Sequence, residues 1–178
     1  MEKEKKPSTK EVIANALEEL LNTKPFYQIS VTEIISKCEL SRQTFYRHFE
    51  DIYDLLVWLF YSANDSFALY DEARDFEAAA TYSCAVMASR PKLFRRLFLD
   101  DKDDLFLNRL IQDRFKRGAK LVGSKNLNDE IQFALELYWV GFFHILIRWV
   151  ENGMQAPPEK MGRYLTNCLP DILKKYYH

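Results

Sequence analysis

The sequence predicts an all-α protein of about nine helices, and three features of its 178 residues support that prediction. Glycine and proline, at five and six residues, are scarce within the long segments. Apolar residues recur at three- and four-residue intervals, and no segment alternates as a strand would. Hydrophobic residues make up 48 % of the chain, which provides a sizeable core and excludes a disordered chain.

Two capping boxes, each a Ser followed three residues later by a Glu, mark the first two helices. Ser8 and Glu11 begin a helix whose apolar residues recur with helical spacing and which ends before Pro25. Ser30 and Glu33 begin a second, short helix. We therefore expect two separate helices within the first 37 residues.

A third short helix is predicted over residues 42–49, with Ser41 as its N-cap. Phe45 and Phe49 lie four residues apart, so they share the face that would be buried. A longer helix should follow over about residues 51–70. These elements indicate a three-helix N-terminal domain over residues 1–54 and a second helical domain over residues 55–178.

Five further helices are expected at about residues 73–89, 91–99, 103–123, 128–152 and 158–177. Pro91 suits a first helical turn, where its missing N–H would have no helical partner in any case. Asp103 and Asp104 favour a helix N-terminus through the helix dipole. Pro170 should kink or break the last helix.

Enzyme chemistry has little support in the sequence. The three Cys and three His show no spacing typical of metal ligands, so we expect no metal, no cofactor and no catalytic residue. The run GAKLVGSK, residues 118–125, places Ser and Lys in the wrong order for a phosphate-binding loop and is interpreted as a helix end. The acidic run at residues 100–104 lacks the spacing of a calcium loop and is interpreted as a solvated turn and helix start.

The sequence gives no sign of a membrane or export segment. The run MEKEKKPSTK at residues 1–10 is too charged for a signal peptide. The longest apolar run, residues 137–147, contains His144 and is shorter than the roughly twenty residues that span a bilayer. We therefore expect a cytoplasmic protein that has no membrane partner.

The two short helices and the tight turn between them, residues 31–49, form a predicted helix-turn-helix. In that motif the first helix braces the second, whose exposed N-terminal side chains enter the DNA major groove. Arg42 is suited to guanine and Gln43 to adenine, each pair giving ~1–3 kcal/mol of discrimination. The side chains expected to contact DNA are Thr32, Ser41, Arg42, Gln43, Thr44, Tyr46, Arg47, His48 and, in a basic N-terminal arm, Lys6. Plain helix packing remains the alternative on periodicity alone.

The run IISKCELSRQTFYRHFEDIYDLL, with its TFYRHF core, resembles the helix-turn-helix of the TetR (tetracycline-repressor-like) family. The resemblance covers about residues 8–56, and a weaker one extends from Phe133 to Gly153 through Gly141 and Trp149. It implies a homodimeric transcription regulator, with an N-terminal DNA reader and a C-terminal helical domain for dimerisation and effector sensing. Repression of a palindromic operator, relieved by an effector, is the usual mode that the resemblance implies.

The sequence departs from the family pattern at several positions. Glu39 stands in the turn where the family usually has Gly, and a left-handed residue other than Gly costs roughly 1 kcal/mol. Ile35 replaces a small residue, while Glu50 and Ile52 stand where Lys is frequent. Residues 1–56 also carry eight basic and ten acidic side chains, which favours an alternative, a helical protein-interaction module with little DNA affinity.

The C-terminal helices provide a predicted dimer interface and a predicted effector pocket. The run LYWVGFFHILIRW is apolar nearly all round, so we expect it to pack in a four-helix dimer bundle, with a central buried helix of the monomer as the alternative. The expected interface residues are Tyr138, Gly141, Phe142, Ile145, Trp149 and Leu165. The expected pocket residues, for which core packing is the alternative, are Phe60, Phe67, Met87 and Phe115. The middle section shows no cluster of polar residues, so a protein partner is an alternative to a small-molecule effector.

Overall fold

A computed structural model describes residues 7–64 and 75–177, and every regular element in these ranges is helical. The N-terminal part contains α1 (Thr9–Leu21), a 3₁₀ turn (Phe26–Gln28), α2 (Val31–Lys37), α3 (Arg42–His48) and α4 (Ile52–Ala63). The C-terminal part contains α5 (Phe76–Ser89), α6 (Pro91–Leu99), α7 (Leu105–Val122), α8 (Asp129–Glu151), α9 (Pro158–Asn167) and α10 (Asp171–Lys174). The all-α prediction is confirmed.

Side-chain caps set the predicted helix starts. Ser8 and Ser30 accept bonds from the N–H groups of Glu11 and Glu33, and both capping boxes are complete. Ser41 accepts from the Thr44 N–H at 3.1 Å and begins α3. The last predicted helix is broken at Pro170 into α9 and α10, as expected from the missing N–H.

The fourth helix is shorter than predicted, since it ends at Ala63 rather than near residue 70. Asn64 leaves the helical region at φ −124° and ψ 78°, and its buried side-chain amide donates to the Ser83 hydroxyl of α5. This side-chain contact is long-range, so local periodicity could not reveal it. Residues 65–70 of the predicted helix lie outside the described residues.

Rings from four helices form the centre of the C-terminal part. Phe60 of α4 is buried, with ring-centre distances of 5.8–6.4 Å to Phe94, Phe98, Phe106 and Phe143. The rings meet mainly edge to face, which is a favourable aromatic geometry. Helix α4 thus enters the C-terminal core although its first residues follow directly on α3.

The acidic run after α6 is bonded rather than merely solvated, which corrects the prediction for two of its residues. Asp100 accepts from the Phe26 backbone N–H at 3.0 Å, and Asp101 accepts from the Leu107 N–H at 3.0 Å. Burial raises the pKa of the Asp101 carboxyl. Asp100 therefore ties the N-terminal part to α6, while Asp101 caps the start of α7. The GAKLVGSK run is a helix end, as predicted, because α7 terminates at Gly123.

Within the described ranges, α8 is the helix whose 23 residues are long and apolar enough to cross a bilayer by those two criteria alone. The helix extends beyond the apolar run at residues 137–147, which by itself is too short to span a bilayer. Nine of its side chains, including Leu135, Trp139 and Phe143, are buried inside the protein. This one-sided burial is typical of a helix packed on a core.

Candidate nucleic-acid interface

The start of α2 is held by Glu33, whose carboxylate accepts from both the N–H and the hydroxyl of Ser30, at 2.9 and 3.0 Å. Lys24 also donates to this carboxylate. The Lys24 hydrogen bond, followed by the Ser30 bonds, lowers the pKa of Glu33 to about 2. Helix α2 is therefore fixed at its N-terminus by an ionised side chain near neutral pH.

The turn between α2 and α3 requires a left-handed residue, and Glu39 supplies it at φ 55°. The Leu40 N–H returns to the Ile35 carbonyl at 2.9 Å, which closes the end of α2. The sequence prediction of a strained residue at Glu39 is confirmed. Glycine adopts this conformation without a penalty because it has no Cβ, whereas the Cβ of Glu39 leaves the turn strained.

Helix α3 is fixed to the N-terminal core by its two phenylalanines. Phe45 is buried 5.8 Å from the buried Phe49 ring, and Phe49 meets Trp58 of α4 at 6.2 Å. Lys10 of α1 lies over the Phe49 ring at 5.1 Å. The predicted inner face of α3 is confirmed, so the opposite face points away from the core.

The opposite face of α3 exposes most of the side chains that the sequence assigned to DNA. Arg42, Gln43, Tyr46 and Arg47 are exposed, and Tyr46 retains 49 % of its surface. Ser41 is exposed, but its hydroxyl is engaged in the helix cap with Thr44. Thr44 and His48 are half-buried. Lys6 lies outside the described residues.

Three of these side chains converge across the two helices. The Arg42 guanidinium lies 3.4 Å from the Thr32 hydroxyl of α2 and 3.5 Å from the Tyr46 hydroxyl. Both distances are long for hydrogen bonds, so these contacts hold Arg42 weakly. The guanidinium is therefore available for a stronger partner such as a guanine edge or a phosphate.

Carboxylates pair with two further lysines near the motif. Lys24 is bonded to Glu33, and Lys37 lies 2.7 Å from Glu19 of α1. The described cations that face solvent from α3 are Arg42 and Arg47. Among the residues that the structure describes, the basic surface at α3 is therefore small, in agreement with the departures found in the sequence.

The predicted dimer residues divide into two groups. Tyr138, Trp149 and Leu165 are buried within the protomer, where the Tyr138 hydroxyl donates to the Leu165 carbonyl at 2.9 Å. These three therefore offer little surface to a second copy. Gly141 and Ile145 are exposed, whereas Phe142 is half-buried and lines a cavity.

The structure contains a cavity of about 410 Å³ between α5, α7, α8 and the C-terminal Tyr177. None of the three described pocket candidates lines it, because Phe60 and Met87 are buried in the core and Phe115 lies elsewhere on α7. Phe67 lies outside the described residues. Arg114, Arg117 and Lys120 line the cavity, so three polar residues of the middle section do meet at one place.

Sequence reasoning missed this cavity, although two signals were present. Basic residues recur on α7 at positions 114, 117 and 120, which a helix places close together along one side. Small residues occupy the facing part of α5, where Ala79, Ala80 and Ser83 line the space. Neither signal indicates a cavity until α5 and α7 are known to face each other.

These elements define a class of protein, a helix-turn-helix DNA reader attached to a helical C-terminal domain. The family model described as "Bacterial regulatory proteins, tetR family" matches residues 13–57. A second family model, described as "Transcriptional regulator C-terminal region", matches residues 74–171, which is more than half of the chain. The chain belongs to the TetR family of transcription regulators.

A comparison with curated proteins and a comparison with solved structures both find a protein named DhaS. The HTH-type dhaKLM operon transcriptional activator DhaS of Lactococcus lactis subsp. lactis (strain IL1403) is 35 % identical over 68 residues, 38 % of this chain. The match covers 35 % of that relative, so the chain spans about a third of its length. A solved structure, the dihydroxyacetone kinase operon activator DhaS, has TM-score 0.59 at 21 % identity over 96 % of this chain and 98 % of that one. This likeness shows a shared fold.

Proposed function

We propose that the protein is a sequence-specific DNA-binding regulator of transcription that uses α3 as its recognition helix. The observation that carries the proposal is the exposed cluster of Thr32, Arg42 and Tyr46 across α2 and α3. The buried Phe45 and Phe49 hold the cluster rigidly, as a reader of base edges requires. Residues 1–54 would form the DNA-binding domain, residues 55–178 the dimerisation and sensing domain, and neither would be catalytic.

The regulator would act as a homodimer through the exposed side of α8. Phe133, Leu137, Gly141 and Ile145 recur at four-residue intervals, and the three large side chains are 68 %, 61 % and 38 % exposed. Apolar residues exposed in one stripe favour burial against a second copy. Two recognition helices placed about one helical turn of DNA apart, ~34 Å, would require a palindromic operator.

For the direction of regulation we propose repression by operator occupancy, relieved by an effector in the C-terminal domain. The name of the relative, a transcriptional activator, identifies the competing outcome. Reporter expression with and without the protein separates the two directions. Because the family acts on DNA, the protein would work in the cytoplasm.

The proposal is tested by selecting fragmented genomic DNA of the source organism on the purified full-length protein. We expect enrichment of a palindromic site that Arg42→Ala combined with Tyr46→Ala loses. Lys92→Ala, an exposed cation on α6, is the matched control and should retain the site. No enrichment at low salt by a folded protein would contradict the proposal.

The alternative, a protein-interaction module with the same fold, is favoured by the pairing of Lys24 and Lys37 with glutamates. The salt dependence of binding to duplex DNA distinguishes the two. A DNA reader loses affinity steeply as salt rises, whereas an interaction module has little affinity to lose.

A further inference from the structure

The turn that leads into α2 is capped by a side chain from outside its own segment. The 3₁₀ turn Phe26–Gln28 begins after Pro25, which provides no side-chain cap. The Phe26 N–H donates instead to the Asp100 carboxylate at 3.0 Å. Asp100 is the C-cap residue of α6 and lies 74 residues further along the chain. The start of the turn is therefore held by the C-terminal part.

The position of Asp100 is unfavourable for α6 itself, because the partial negative charge at a helix C-terminus repels a carboxylate. The Asp100 side chain is only 14 % exposed. The Arg96 guanidinium lies 3.4 Å from the oxygen that accepts from Phe26, which is long for a hydrogen bond. The bond from Phe26 therefore gives this carboxylate a role that α6 does not explain. A bond to a charged acceptor is also stronger than one between neutral groups.

A second side chain of the same loop contacts the same turn. The Lys102 amine lies 3.7 Å from the Tyr27 ring centre, within the range of a cation–π contact. Both residues are exposed, so solvent weakens this attraction. The loop thus contacts two successive residues of the turn, Phe26 through its backbone and Tyr27 through its ring.

The turn is joined to α2 on both of its sides. Lys24, which precedes the turn, donates to Glu33 of α2. The Ile29 N–H closes the turn at the Phe26 carbonyl at 2.8 Å, and the next residue, Ser30, is the N-cap of α2. A displacement of the turn would therefore carry α2, and with it the packed α3, in the same direction.

Other contacts between the two parts of the molecule act on other helices. Glu18 of α1 pairs with Arg90, the N-cap residue of α6, and Asp51 at the start of α4 lies 2.5 Å from Arg109 of α7. These pairs hold α1 and α4. Among the described residues, Asp100 is the residue of the C-terminal part whose side chain forms a hydrogen bond with the segment between α1 and α2.

From these observations we infer that Asp100 is a positioning residue, which sets the orientation of α2 and α3 relative to the C-terminal part. The consequence for DNA rests on the proposed function, in which the C-terminal parts join two copies. In such a dimer the orientation of each reader determines which half-site spacing both recognition helices can contact together. Asp100 thus determines the accepted operator spacing without contacting a base.

The orientation is tested without DNA by residual dipolar couplings of the backbone amides of the full-length, isotope-labelled protein. In the wild type, one alignment tensor should fit the amides of α2 and α3 together with those of α7 and α8. Asp100→Ala should require separate tensors for the two groups, with thermal unfolding as the check on folding. Asp100→Asn retains an oxygen that can accept from the Phe26 N–H, so it should restore the single tensor. Asp103→Ala, at an exposed carboxylate of the same loop with no hydrogen bond among the described residues, is the matched control.

The operator spacing is tested by fluorescence anisotropy, with the selected operator and a version that carries one extra central base pair. The extra pair separates the half-sites by roughly 3.4 Å more and rotates them by about a tenth of a turn. The wild type should bind the lengthened operator more weakly. Asp100→Ala should reduce this ratio of affinities about tenfold, since a mis-spaced operator no longer has to distort a charged hydrogen bond. Asp100→Asn should remain close to the wild-type ratio, and Asp103→Ala should retain it.

The affinity ratio distinguishes positioning from a general role in stability. A variant that is merely less stable binds every duplex more weakly and leaves the ratio of the two operators unchanged. A duplex with a single half-site should bind the wild type and Asp100→Ala equally, because the base contacts of α3 are the same in both.

A single tensor in Asp100→Ala would overturn the positioning role, as would separate tensors in Asp100→Asn or in Asp103→Ala. Separate tensors in Asp100→Ala with an unchanged affinity ratio would overturn the effect on operator spacing. A protein that selects no operator, or whose wild type is indifferent to spacing, would contradict the proposed dimeric reader. The dipolar couplings would in that case still decide whether Asp100 sets the orientation.

Discussion

At the scale of single residues, Glu39 has a left-handed backbone conformation that is less stable for glutamate than for glycine. We expect Glu39→Gly to raise the free energy of unfolding by about 0.5–1 kcal/mol, because relief of the left-handed strain exceeds the entropy that glycine adds to the unfolded chain. Urea denaturation measures the change. Glu39→Ala keeps a Cβ at φ 55° and should bring no such gain. An alanine variant as stable as the glycine variant would refute the strain argument.

A second residue-scale prediction concerns Glu33, whose pKa is lowered to about 2 from an ordinary value of 4.5. A carboxyl with a lowered folded-state pKa stabilises the fold fully above the unfolded pKa and loses that contribution as pH falls through the folded pKa. The stability difference between the wild type and Glu33→Gln should therefore shrink between pH 4.5 and about pH 2.

Urea unfolding across that pH range provides the measurement for Glu33. Glu39→Gln serves as the control, since Glu39 is an exposed carboxylate of the same motif. A difference that stays constant from neutral pH to pH 2 would show that the bonds from Lys24 and Ser30 do not favour the ionised form.

At the scale of the helices, the packing of α9 on α5 depends on Gly162. A Cβ at this position would lie 2.7 Å from the backbone N and Cα of Thr81, which no rotamer change can relieve. We expect Gly162→Ala to destabilise the protein by about 1–3 kcal/mol through overpacking, measured by thermal or urea unfolding. Arg163→Ala, an exposed neighbour on α9, should change stability by less than about 0.5 kcal/mol. Equal effects of the two variants would count against close packing.

The helices show which parts of the structure the sequence could predict. Ser8, Ser30 and Ser41 identify three helix starts because an N-cap acts within its own first turn. Pro170 breaks the last helix for an equally local reason. Local spacing does not predict that α4 ends at Ala63, where the next side chain, Asn64, bonds to Ser83, nineteen residues away.

The two candidate sites differ in the same way, since one depends on local spacing and the other on contacts between residues far apart in the sequence. Most of the residues proposed to contact DNA lie on α3, so their spacing alone places Arg42, Gln43 and Tyr46 on its outer side. The cavity draws residues from three helices and the C-terminal Tyr177, and its existence depends on how those elements pack. Trp149 and Leu165 show the same dependence, because only packing determines whether an apolar side chain lies in the core or at an interface.

At the scale of the whole molecule, the proposed dimer can be tested on the exposed stripe of α8. Leu137→Glu should weaken self-association roughly a hundredfold, because an unpaired carboxylate would be buried against an apolar partner surface. Analytical ultracentrifugation over a range of concentrations measures the shift. Leu105→Glu, an exposed leucine at the start of α7, is the matched control and should leave assembly unchanged. A Leu137→Glu protein that assembles like the wild type would place the interface elsewhere.

The three tryptophans lie in different parts of the molecule. Trp58 meets Phe49 beneath the recognition helix, Trp139 lines the cavity, and Trp149 donates its indole N–H to the Ala156 carbonyl near the end of α8. Variants that retain a single tryptophan would therefore carry an intrinsic fluorophore next to α3, in the cavity wall or near the C-terminal end of α8. The emission spectra of these variants would report binding of an operator and binding of a ligand separately, without an attached dye.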